Sequence, residues 1–151
     1  MKNQGNNSIR KYLIADIGSV LLIILFTYAA CSKVMDYQKF LVELGKSPVL
    51  APFVKWISVF TPAIELAISA ALMFRKSQLV ALYASFTLMV IFSAYIVTIL
   101  NFSEYIPCSC GGILENMNWK QHFWFNIGFV FLGGLSVCYF PMNKELIGHK
   151  R

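Results

Sequence analysis

Four apolar runs, 12–31, 53–74, 79–100 and 123–140, constrain this chain more than any other feature. A helix rises about 1.5 Å per residue, so about 20 apolar residues cross a hydrocarbon core of roughly 30 Å. The runs 79–100 and 123–140 contain no charged residue. Hydrophobic residues make up 58% of the 151 and charged ones 13%, against about a quarter charged in a soluble domain. A segment inside lipid must satisfy its own backbone hydrogen bonds, which selects helices for spans of this length. The fold expected is an all-α integral membrane protein, a four-transmembrane-helix bundle. It forms one transmembrane domain over 12–140, flanked by tails 1–11 and 141–151.

The formal charge of +6 does not point to nucleic acid, because the basic residues stand singly or in pairs at span ends, with no stripe of interleaved aromatics. They fit orientation better. Lys2, Arg10, Lys11, Arg75, Lys76, Lys144, Lys150 and Arg151 fall on one side of the spans, against Lys33, Lys39, Lys46, Lys55 and Lys120 on the other. The positive-inside rule then puts both tails in the cytoplasm of a multi-pass protein of the inner (cytoplasmic) membrane. Tyr28-Ala29-Ala30-Cys31 resembles the end of a lipoprotein signal, but the apolar run before it is long for one, so it reads as a retained span.

Between the first two spans, Val34, Phe40, Leu41 and Leu44 alternate with Lys33, Asp36, Lys39 and Glu43, the pattern of a short interfacial helix. Gly45, Pro48 and Pro52 end it. Ala63, Ala67 and Ala71 recur every fourth residue, and Gly133-Gly134 sits in the last span. Both read as places for close helix approach. Tyr12, Tyr105, Trp119, Trp124 and Tyr139 lie near span ends, where aromatics anchor at headgroups.

The chemistry concentrates in Pro107-Cys108-Ser109-Cys110-Gly111-Gly112. Two thiols one residue apart can close a small strained disulfide, and strain makes such a bond easier to exchange. The orientation above puts Cys108 and Cys110 on the disulfide-permissive side, with Cys31 at the same side as a second resolving thiol. Cys138, near the other side, reads as an inert packing residue. Three uses of the pair remain open: thiol-disulfide exchange, a structural staple, or soft-metal binding as Cu(I) with Met117 or His122 assisting. Glu65, near the middle of the second span, must face the bundle interior, as a proton acceptor, a quinone contact or a structural carboxyl. Tyr95, His122 and Asn126 each lie in the third of their helix nearest Cys31 and can converge there, with a quinone contact expected near Glu65, Tyr95 and Asn126.

Three segments carry a family resemblance. The first span runs into Cys31-Ser32-Lys33-Val34-Met35-Asp36-Tyr37-Gln38-Lys39-Phe40, similar to a Ser-Lys, Asp, Phe pattern. Pro62-Ala63-Ile64-Glu65 is similar to Pro-x-x-Glu, and Cys108-Ser109-Cys110-Gly111-Gly112 followed by Trp119 and Asn126 resembles a Cys-x-Cys segment with its Trp and Asn. Together these resemble the MauE/DoxX group of redox-associated membrane proteins, the MauE branch most. The resemblance implies a DoxX-like four-helix protein serving disulfide chemistry outside the cytoplasm. Its partner would be a thioredoxin-like or exported disulfide-containing protein, with maturation of a methylamine dehydrogenase as the family precedent. DoxX relatives imply work with quinone.

Overall fold

The computed structural model describes residues 2–47, 50–102 and 118–140. Five helices account for nearly all of them: α1 (Lys2–Met35), α2 (Tyr37–Lys46), α3 (Val54–Met73), α4 (Gln78–Phe102) and α5 (Trp119–Tyr139). A 3₁₀ turn, Ala51–Phe53, leads into α3. No strand occurs among the described residues. Four stretches are long and apolar enough to cross a bilayer: Leu13–Met35, Ala51–Met73, Gln78–Asn101 and Lys120–Tyr139.

The spanning helices alternate in direction, and each packs on two neighbours in the cyclic order α1, α3, α4, α5. The short link 74–77 joins α3 to α4 at one end of the bundle. The connections 36–53 and 103–117 start from the other end, hereafter the connection end.

Inward-facing positions repeat at heptad-like spacing. In α1 they are Ala15, Ser19, Leu22, Phe26, Ala30 and Lys33; in α3, Ser58, Pro62, Glu65, Ser69 and Leu72. Leu22, Phe26, Ile68, Leu72, Leu82 and Met89 form the apolar centre. Twelve buried polar or charged residues stand beside thirteen buried apolar ones among the described residues, while Ile24, Val80, Trp124 and Phe131 are exposed. Water would not tolerate that distribution. Lipid does, because small and polar residues between helices pack closely and find partners there. Serines show how: Ser19, Ser85, Ser93 and Ser136 each donate to the carbonyl four residues earlier, which satisfies the hydroxyl inside its own helix.

The seam that α1 and α2 make with α3 and the link after it is polar along its length. Asp16 takes a two-pronged contact from Arg75 at 2.8 and 2.9 Å. Thr27 and Ser69 share a hydrogen bond of 2.7 Å, Lys33 meets Glu65, and Tyr37 meets Ser58 at 3.1 Å. These pairs fix an antiparallel register. They also show that α1 ends part-way along α3, since Lys33 near its C-terminus is level with the middle of the partner helix. The amphipathic α2 fills the remaining height, burying Phe40, Glu43 and Leu44.

Two packing expectations change. Ala63 and Ala67 are exposed on the outer surface of α3, because Pro62, Glu65 and Ser69 hold that helix's inward face. The closest approach is made instead by Gly18 of α1, where a Cβ would collide with the side chain of Ser136 on α5. Gly133 and Gly134 do serve close packing, against Phe86 of α4. Cys138 is exposed, not buried in the core.

Candidate functional site

Lys33, in the last turn of α1, and Glu65, near the middle of α3, form a buried ion pair. Lys33 Nζ donates to Glu65 Oε1 at 2.7 Å and Oε2 at 3.0 Å, and lies 3.3 Å from the carbonyl oxygen of Ala29. The Glu65 side chain is 0% exposed. The ammonium also stands 5.9 Å from the centre of the Phe40 ring, within cation–π range. The sequence places Lys33 beyond the first span, among the charged residues of a short interfacial helix, because the apolar run ends at Cys31. Helix α1 instead continues through it, since the carboxylate across the seam supplies the charge that makes burial of an ammonium tolerable. A signal existed: an acid in mid-span needs a cation, and Lys33 lies two residues past the apolar run.

Local chain chemistry positions both partners. Pro62 lies three residues before Glu65, on the same buried face of α3. It has no N–H to give the carbonyl of Ser58, so the helix here is less tightly tied. On α1, Lys33 occupies the last turn, where a cation also meets the carbonyl end of the helix dipole.

The ion pair forms part of the wall of a cavity of about 330 Å³ enclosed by α1, α3, α4 and α5 and covered by α2 through Phe40 and Leu44. Tyr95, His122 and Asn126 line the same space, with Thr61. Asn126 is 5% exposed. It makes no hydrogen bond among the described residues, so its carboxamide faces the cavity unpaired. At the start of α5, the Asn118 N–H donates to Gln121 Oε1 at 3.0 Å, half of a capping box that fixes where the helix begins. That start sets the register of His122 and Asn126, four residues apart and thus on one face.

The residues expected to carry chemistry divide into three groups. Glu65, Tyr95, His122 and Asn126 meet at the cavity. Cys31 does not: it is exposed on α1 and does not line the cavity, because Ala29, Ala30 and Lys33 hold the inward positions of that turn. Cys108, Cys110 and Met117 lie outside the described residues. Among the described residues no group of three or more His, Cys, Asp or Glu side chains is arranged to hold a metal ion. Lys33, Phe40 and Thr61 are cavity residues that the sequence did not single out for chemistry.

Four of the residues behind the family resemblance come together. Lys33 and Phe40 of the first pattern, Glu65 of the second and Asn126 of the third all line this one cavity. No curated protein and no solved structure matches the chain. The family model described as methylamine utilisation protein MauE matches residues 11–139. That match runs through all four spanning helices and every described cavity residue, and the chain belongs to the MauE family of membrane proteins.

Proposed function

We propose that this MauE-family protein carries out thiol-disulfide exchange through Cys108 and Cys110 on the non-cytoplasmic face of the inner membrane, in support of disulfide formation in an exported protein. A partner thiolate attacks one sulfur of the Cys108–Cys110 bond, a mixed disulfide forms as that bond breaks, and the partner's second thiol or the neighbouring cysteine resolves it. The partner chemistry is that of a thioredoxin-like or disulfide-containing exported protein. A role in maturing a methylamine dehydrogenase is the specific form that the family's name suggests.

One observation carries this reading: the two attachment points of the Cys-x-Cys segment, Phe102 of α4 and Asn118 capping α5, belong to the end of the bundle towards which the cavity and four of the family-pattern residues lie. The count of basic residues, eight on the side of the tails against five on the connection side, supports the orientation.

The test is covalent trapping. Cys108→Ala and Cys110→Ala should each insert normally and accumulate a mixed disulfide with a partner in membranes. The purified wild-type pair should titrate above the range of about −300 mV and below that holds for structural disulfides. No adduct from either variant, together with a potential in the structural range, would leave the pair a staple.

A further inference from the structure

The inward face of α2 is divided. Phe40 and Leu44 are buried and line the cavity, and their removal from water holds the helix against the bundle. Glu43 and Ser47 fall on the same side at helical spacing and are 8% and 0% exposed. Lys46 donates to Glu43 Oε1 at 2.7 Å, but Glu43 Oε2 is buried with no hydrogen-bond partner, and so is Ser47 Oγ. A buried polar atom left unpaired forfeits the bonds that water would give it, which costs about a factor of ten in an equilibrium. Of the four buried positions, two therefore favour the seated helix and two oppose it. The outer side carries Gln38, Lys39 and Lys46, all exposed, as suits a helix at the boundary with water. Its packing is mainly on α3. Both ends leave helical geometry: Asp36 (φ −107°, ψ 43°) separates it from α1, and Ser47 (φ −80°, ψ 118°) ends it. Rotation at a few terminal residues of this kind is enough to swing a packed element.

We propose that α2 is a lid on the cavity, turning about Asp36 and Ser47 between the seated position of this structure and an open one. Opening gives water to Glu43 Oε2 and Ser47 Oγ and withdraws Phe40 and Leu44 from the cavity. The space of about 330 Å³, with the Lys33–Glu65 pair, His122 and Asn126 on its walls, then meets water at the connection end. Closing returns the Phe40 ring to within 5.9 Å of the Lys33 ammonium and keeps the ion pair dry. The lid stands whether or not the exchange function proposed above does, because it uses neither Cys108 nor Cys110.

The test is the reactivity of a cysteine placed in the cavity. In a chain whose four native cysteines are changed to serine, Ala29→Cys lines that space, and Ser85→Cys provides a fully buried control on α4. Both are treated in lipid nanodiscs with two charged methanethiosulfonates, the trimethylammonium-ethyl and the sulfonato-ethyl reagent, which do not cross hydrocarbon. Ala29→Cys should be modified steadily while Ser85→Cys is not, since the opening is local. Adding Glu43→Leu/Ser47→Ala, which removes both unpaired groups, should slow modification of Ala29→Cys at least tenfold with either reagent. Adding Phe40→Ala instead should speed it about tenfold or more, because the closed position loses a buried ring. Helix content and thermal unfolding show that each variant is folded. No modification of Ala29→Cys, or equal modification of Ser85→Cys, would overturn the lid. So would an unchanged rate in Glu43→Leu/Ser47→Ala, or a slowing with one reagent alone, which reports charge at the entrance. If that double variant does not fold, Phe40→Ala decides, and an unchanged rate there overturns the lid.

Discussion

Lys33 and Glu65 each carry a group that lipid and packed protein both exclude, and each is tolerated because the other lies within 3.0 Å. Removing one member strands a buried charge, which costs about 3–5 kcal/mol. Lys33→Met and Glu65→Gln should each lower the unfolding temperature in detergent by an amount that corresponds to such a loss. The double change Lys33→Met/Glu65→Leu should recover much of it, because two apolar side chains of similar volume need no partner. If the double variant is as unstable as the sum of the singles, the pair is not coupled in the way its geometry requires. The Asp16–Arg75 pair, with Arg75 65% exposed, should behave differently: Arg75→Ala should change stability by about 1 kcal/mol or less, since solvent screens it.

At the scale of elements, small residues set where the helices approach most closely. Gly18 marks the tightest place, where Ser136 lies against α1. Gly18→Val should therefore push α1 from α5 and destabilise the bundle by about 1–3 kcal/mol, the range for overpacking. Gly128 on α5 has nothing within 4 Å of where a Cβ would stand. Gly128→Ala should be neutral or slightly stabilising, because alanine is the better helix former. Paired thermal unfolding of these two variants checks the α1–α5 register; equal effects would contradict it. The helix α2 was legible from its alternating apolar and charged residues, and its strong amphipathicity explains why it covers the cavity and does not span the membrane. Its depth was not legible, because nothing local in the sequence says that α1 stops level with the middle of α3.

For the whole molecule, the two ends of the bundle differ in chemistry. One carries the Asp16–Arg75 contact and the short link 74–77; the other carries α2, the cavity and the attachment points of 103–117. If that second end faces out, a membrane-impermeant maleimide should label reduced Cys108 and Cys110 in intact cells. Cys138, exposed near the opposite end of α5, should react only with a lipid-soluble reagent or after rupture. Labelling of the pair only after rupture would invert the topology.

The sequence by itself determined the solvent and the number of spanning helices, because the length of a helix that crosses hydrocarbon is set by rise per residue and by the cost of an unpaired backbone. It also marked Glu65 as a residue that must face inward, since an isolated acid at that depth is too costly. Only the tertiary structure decided the partner of that acid. Lys33 lies thirty-two residues away in the chain, and whether a lysine at the end of an apolar run snorkels to water or turns inward depends on what stands across the seam. The gathering of Lys33, Phe40, Glu65 and Asn126 around one cavity has the same cause. Spacing places a residue on a face of its own helix, but helix register and the depth at which α1 ends determine which faces meet.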